Sequence, residues 1–551
     1  PSPPDLLAAV QTVGRAHLDS PDATSRAAAV LSTVLSNKAA SATAFAAGAV
    51  DKPLATFLAD AMTAHKPSAK VNLAAVSAFR QVATNPVGIK AMEDANAVDP
   101  IVHAMARIIE EPKVVVQACV TLSSYVFGSS DRKVAVAKAR GIRAVARALG
   151  ATRDNKLVQL SGIVLLRNLT AGVAANQKNA ADEGAIEVVL DAMSKFPHEN
   201  DVCTQGVAVL TNVCCDEDAV KRFIKAQGSD VVLPCVRKPE LPEELATDVV
   251  VLYRNLAEHA KDSRKTLGSE FMVDLVDFLD KFANKEDLAL PACQFLRYAS
   301  YSEENRERIR TCGIIEILVE MVDYHISSAA MVEHIIIALS NATHKNPVNR
   351  AFVIENHGVQ ATFKAVKEHS SNTTVTLQAF RLFRNLALAD PNRETNSFLA
   401  ENDIQIIDYA IATALVGETA SNPDVVENVL ATLYNLAPCD VNFERMKEKD
   451  MEVKLEKIQS QFSGNPKVTD QCILFAKLLS QTEKKSMFRR GNKSSLASSN
   501  LTSSNLMSGR NRDFGASTNY NNKTGMLTTA SLSGPTPDAK KSGIFGSMRK
   551  K

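Results

Sequence analysis

The sequence predicts an all-α solenoid. Three observations carry this: a short phrase recurs at a nearly constant interval, a second landmark follows each copy, and no stretch sustains the strand-like alternation of apolar and polar residues. The phrase is clearest as "LLRNLT" at 165–170, "LYRNLA" at 252–257 and "LFRNLA" at 382–387. Aligning on its polar residue gives Asn168, Asn212, Asn255, Tyr298, Asn341, Asn385 and Asn435, at steps of 44, 43, 43, 43, 44 and 50. Ser124, Gln81 and Thr33 continue the series toward the N-terminus. The second landmark comes 15–17 residues later: Gly48, Asn96, Gly141, Gly184, Gly228, Gly313 and Gly358. Glycine is favoured where one helix stops and the next begins, because it tolerates the left-handed conformation.

The elements follow in order. Residues 1–21, with "DLLAAVQTVGRAHL", are expected to form an N-terminal cap helix. Each unit is then expected to hold a short helix, a second starting at the landmark, and a longer third ending at the recurrent Asn. Along "LVQLSGIVLLRNLT" (157–170), Leu157, Leu160, Val164 and Leu165 recur at helical spacing. The surplus between Asn385 and Asn435 falls at "VGETASNPD" (416–424), read as a longer loop between second and third helices. Residues 465–482 are expected to cap the stack, since a terminal repeat must present a polar outer face. The solenoid is thus assigned to 1–482.

Residues 483–551 differ in character. They are rich in Ser, Asn, Thr and Gly without apolar period, and are expected to be a disordered tail. From Lys484 onward there are 13 Lys/Arg against 2 Asp/Glu, so the near-neutral total of +2 hides an acidic body and a basic tail. Three uses of the tail stay open: docking on an acidic partner or weakly on an anionic membrane through "FRRGNK" and "SMRKK", folding back on the acidic solenoid, or serving as a regulated linker. Ser494, Ser495 and Thr536, which precedes Pro537, are candidate phosphorylation sites that would lower the tail's charge.

Composition narrows the class. Apolar residues are 45% of the 551, aromatics 5%, and there is no Trp. The overall charge shows no nucleic-acid bias, and no apolar run reaches the ~18–20 residues that cross a bilayer. "PSPPDLLAAV" has no basic segment leading into an apolar one, so no secretory leader is expected; the chain does not begin with Met, which leaves its start open. The nine cysteines are scattered without metal-ligand spacing and are expected to be reduced, in the cytoplasm and also the nucleus. Asn168-Leu-Thr and Asn341-Ala-Thr match the glycosylation sequon but sit inside apolar helical pattern, so the matches are read as accidental. There is no phosphate-binding GxxxxGK[ST] loop, no HExxH and no GxSxG. His325 and His334 read as satisfied helix histidines, and Asp216, Glu217 and Asp218 as loop charges. No enzyme, cofactor or metal is expected.

The "ALxNL"-like third helices, each followed by a helix opening "GAIEVVLDAM" or "GIIEILVEMV", resemble the armadillo repeat family, shared by beta-catenin and the importin-alpha import adaptors. The resemblance covers 22–482, ten to eleven units; HEAT repeats lack this regular Asn. It implies a right-handed superhelical armadillo-repeat solenoid whose third helices line a concave surface, and a non-catalytic scaffold or adaptor binding other proteins there. It also implies that the Asn grips an extended ligand, which the chemistry permits: an amide offers donors and an acceptor, extended chains repeat every ~6.8 Å, and helices pack ~8–10 Å apart. The other role open to the Asn is to satisfy loose backbone groups at helix ends.

Arginine precedes the ladder residue at Arg80, Arg167, Arg254, Arg297 and Arg384, and Arg381 adds a second cation near Arg384. Acidic extended partners are the expectation; salt bridging to neighbouring helices is the other reading. An importin-alpha-like transport adaptor is an alternative, as is a membrane tether using the tail. The first is weakened by the position four before the Asn, where those adaptors carry Trp; here it holds Val164, Ala208, Val251, Gln294, Ile337, Arg381 and Ala431. The groove candidate runs from Asn168 to Asn435, with a break at Tyr298.

Overall fold

The computed structural model describes residues 2–238, 240–388 and 406–480. The chain divides into two units, Pro1–Ser486 and Met487–Lys551; the second, with the expected tail, lies outside the described residues. Among the described residues all regular structure is helical.

One unit shows how the sequence builds the repeat. Helices Ala174–Asp182, Ala185–Lys195 and Asn200–Val213 follow one another with short corners. Third helices often begin on a side chain that accepts a free N–H of the first turn: Asn155 from Val158, Asn372 from Val375, Asn422 from Val425. Such a cap is worth about 1 kcal/mol. Proline also opens several, where its missing N–H costs nothing, as at Pro21, Pro112 and Pro423, the last behind the Asn422 cap. Eleven third helices are described, from Pro21–Ser36 and Ala69–Val82 to Pro423–Leu436 and 466–480. They pack in sequence, each against the next. One apolar core continues from Leu7 to Leu479. In helix Lys156–Thr170 the buried stripe is Val158, Leu165, Leu166 and Leu169, each leucine contributing about 1.5–3 kcal/mol by burial. Leu157, expected in that stripe, is 67% exposed: the face begins one residue later.

The corner between first and second helices follows two designs. At Gly48, Gly184 and Gly313 the glycine itself takes positive φ. At Gly141, Gly228 and Gly358 the left-handed residue is the one before, Arg140, Gln227 or His357, and the glycine opens the helix. These glycines are needed for close approach: a Cβ on Gly358 would sit 2.5 Å from Val353 Cγ1 and 2.9 Å from its carbonyl oxygen. The unit after Asn255, which carries no landmark, has no corner, its first two helices forming the single helix Arg264–Phe282.

The lengthened unit places its extra residues between second and third helices. There the connection is 415–422, holding a short 3-10 turn at Glu418–Ser421, against 369–372 in the unit before. Asp216, Glu217 and Asp218 are not loop charges: Asp216 caps helix Glu217–Lys225, and its neighbours occupy the first turn, where the helix dipole favours acids.

Candidate functional site

Third helices pack side by side, so the ladder residues form a row, half-buried from Gln81 to Asn435. Most of the amides are already engaged. Asn255 donates from Nδ2 to the Thr211 carbonyl at 3.0 Å, Asn341 to the Arg297 carbonyl at 3.2 Å, Asn385 to the Ser340 carbonyl at 2.9 Å, and Asn435 to the Arg384 carbonyl at 3.3 Å. In each case the acceptor belongs to the residue just before the ladder position of the preceding unit. Those carbonyls lie in the last turn of their helices, where no intrahelical backbone N–H is available; the Ser300 and Thr343 hydroxyls also donate to those of Arg297 and Ser340. Asn212 varies the theme, donating to Thr170 Oγ1 at 3.2 Å. The Asn therefore couples repeat to repeat, and at Asn255 and Asn341 the amide oxygen and the second N–H remain for a ligand.

Asn168 is different. Its side chain has no hydrogen-bond partner among the described residues; the unit before it carries Ser123 and Ser124 at the corresponding positions. A cleft of about 790 Å³ opens beside it, bounded by Ile89, Ser123, Ser124, Phe127 and Arg132. Ser123 Oγ is buried without a partner, and Phe127 is 77% exposed.

The arginines divide into two groups. Arg254 lies 3.8 Å from Glu258 and Arg384 4.0 Å from Glu427. The others meet neutral groups: Arg80 donates to Gln117 (3.3 Å), Arg167 to Gln205 (2.9 Å) and Arg381 to Gln378 (3.3 Å). Arg297 sits 5.8 Å from the Tyr298 ring centroid. An amide acceptor orients a guanidinium without cancelling its charge, so Arg80, Arg167, Arg297 and Arg381 keep theirs. The face is not uniformly basic. Asp248 faces Arg167, yet burial and then Glu244 push its carboxyl above the usual range.

At the break, Tyr298 donates its hydroxyl to Glu258 at 3.1 Å. Burial and this bond raise its pKa. The repeat-to-repeat contact persists there in another chemistry.

The sequence reading missed a second, deeper row. Asn176, Asn305, Asn349 and Asn442, on first helices, are buried. Asn176 bridges the carbonyls of Lys133 and Leu169, Asn305 those of Arg264 and Ala299, Asn349 those of Arg306 and Ala342. The available signal was a polar residue seven or eight positions after the ladder residue, as in Asn168–Asn176 and Asn341–Asn349. His325 caps its helix and bonds the Ala283 carbonyl at 2.7 Å; His334 bonds the Ala330 carbonyl at 2.8 Å.

Both sequons fall within helices Lys156–Thr170 and Ala329–Thr343. Ser494, Ser495 and Thr536 lie outside the described residues. Among the described residues no group of His, Cys, Asp or Glu is placed to hold a metal ion, and no helix is long and apolar enough to cross a membrane.

Three-helix units, third helices in a row and a continuous core define a right-handed superhelical solenoid of the armadillo type. A solved structure, from work on a phosphorylation switch controlling the interaction between cadherin and beta-catenin, superposes with a TM-score of 0.70 at 13% identity, covering 86% of this chain and 91% of that chain. Two engineered proteins match less well, with TM-scores of 0.45 and 0.37 at 17% and 21% identity; they cover 86% and 46% of this chain, and 98% and 97% of their own. A protein-family model described as the C-terminal domain of protein zer-1 homolog-like proteins matches residues 60–300. No curated protein matches the chain by sequence.

Proposed function

We propose that the protein is a non-catalytic scaffold whose third-helix face binds extended, acidic segments of other proteins. The observation that carries this is the set Arg80, Arg167, Arg297 and Arg381, aligned on one face and oriented by amides or an aromatic ring rather than neutralised by carboxylates. Among the described residues none of the four makes an ion pair, so each adds positive potential that attracts an anionic partner. Asn168 supports the reading, since its amide is free to pair with a ligand backbone. So does the superposition on a structure concerned with cadherin and beta-catenin, two proteins that interact. The nine cysteines, none of them in a disulfide, suit a reducing compartment, cytoplasmic and also nuclear.

The test is an anisotropy titration of a short labelled Asp/Glu-rich peptide against the full chain at low and physiological salt. Reversing Arg167 and Arg381 to Glu should weaken binding by about tenfold to a hundredfold, the scale of one or two charge-assisted contacts. Equal affinity for the variant would refute the reading.

A further inference from the structure

A second pocket lies where the ladder breaks, and its chemistry differs from the rest of the face. It is a cleft of about 290 Å³ lined by Ser300, Tyr301, Arg306, Asn341, His344 and Lys345. Arg306 is 8% exposed. Its Nη1 donates to the carbonyls of Ser300 and Tyr301 at 2.9 and 3.4 Å, while its Nε has no acceptor. Among the described residues it makes no ion pair.

Arginine in this place is partly a scaffold device. Arg132 and Arg264 also reach the carbonyls that end the preceding third helix, and a cation there is favoured by the helix dipole. Arg306 departs from Arg132, which has Glu93 at 3.7 Å. It is joined instead by further cations. Lys345 and the His344 ring have no partner among the described residues. Burial, then Arg306, Lys345 and Arg350, hold the His344 pKa below its usual value, so the groups felt at that ring are positive.

The backbone adds an independent sign. Lys345 lies in the left-handed region at φ 52°. The corresponding corners two residues past Val126 and Thr170 use Gly128 and Gly172, both at φ 70°. Glycine takes this conformation without cost and lysine does not. An unpaired lysine in the left-handed region, at a corner that the units ending at Val126 and Thr170 make with glycine, beside a buried and unneutralised guanidinium, indicates a position held for its charge.

We propose that this cleft is an oxyanion pocket that receives a phosphorylated side chain carried by the partner's extended segment. A phosphate brings three acceptor oxygens and about −1.5 to −2 charges, which suits a pocket with several cations better than a carboxylate does. Tyr301, 61% exposed and stacked under the Arg264 guanidinium at 4.9 Å, forms a wall for the side chain's stem. The proposal rests on the third-helix face as the binding surface and adds a distinct subsite to it.

The experiment uses the full chain, a labelled Asp/Glu-rich peptide, and the same peptide with one central phosphoserine. Phosphorylation should tighten binding by about tenfold, one charge-assisted interaction. Lys345→Gly removes the charge and relieves the strain, so it should melt no lower than wild type yet lose the phosphate-dependent gain. Arg167→Glu/Arg381→Glu should weaken both peptides while leaving the gain. Binding of both peptides without any gain overturns the pocket and spares the groove. If neither peptide binds, phosphorus NMR of O-phosphoserine decides: broadening that depends on Lys345 supports the pocket, and none overturns it. Lys345-dependent binding of a soluble inositol bisphosphate headgroup, with no phosphoserine effect, also overturns it.

Discussion

The sharpest distinction is between two asparagines that look alike in sequence. The Asn255 amide, 3.0 Å from the Thr211 carbonyl, is that acceptor's one donor among the described residues. Asn255→Ala removes the bond and leaves a half-buried carbonyl unsatisfied, at a cost of about 1–3 kcal/mol. Asn168→Ala removes no such bond and should change stability by less than about 0.5 kcal/mol. A solenoid couples nearest neighbours, so a single unfolding free energy for the whole chain is not well defined. Amide hydrogen exchange gives a local readout. In Asn255→Ala, the amides of helices Asn200–Val213 and Glu243–His259 should exchange about 5- to 150-fold faster. Helices Pro112–Val126 and Lys156–Thr170 should keep their rates in Asn168→Ala. Equal acceleration in the two variants, or none in either, would refute the assignment of the ladder to repeat coupling.

Three further outcomes follow from particular contacts. Leu166→Ala, at a fully buried site, should cost its unit about 2–5 kcal/mol, read as faster amide exchange in helix Lys156–Thr170. Gly358→Ala should destabilise more than Gly184→Ala, because the first drives a Cβ onto Val353 backbone while the second meets only Glu187 Oε2 at 3.7 Å and has its φ of 83° to strain; melting temperatures check the order. Burial raises the Cys119 and Cys293 thiols to about 12, so in the folded protein they should resist a disulfide reagent near neutral pH, while the half-buried Cys215 and Cys312 react first.

The repeat was legible because its signals are local. Period, corner glycines and the apolar stripe are each set within one unit, and the missing landmark after Asn255 coincides with the fused helix Arg264–Phe282. What the sequence hid depends on where the next unit's atoms fall. The Thr211 carbonyl is 44 residues from the amide that satisfies it. Whether Arg167 finds an acid or an amide is decided by Gln205 on the following helix. Cys203 and Cys235 show nothing in their spacing, yet their sulfurs lie 3.0 Å apart. The positive φ of Lys345 likewise becomes visible only when its corner is compared with those at Gly128 and Gly172.

The central claim is that the row of third helices is the surface on which an extended acidic segment lies. The most direct measurement carries a photoreactive group along an Asp/Glu-rich peptide, cross-links it to the full chain, and maps the adducts by mass spectrometry. The account predicts adducts on third helices, around Gln117, Gln205 and Gln378, which flank the uncompensated arginines. Adducts concentrated on second helices such as Ala185–Lys195 and Gly358–Glu368 would contradict it.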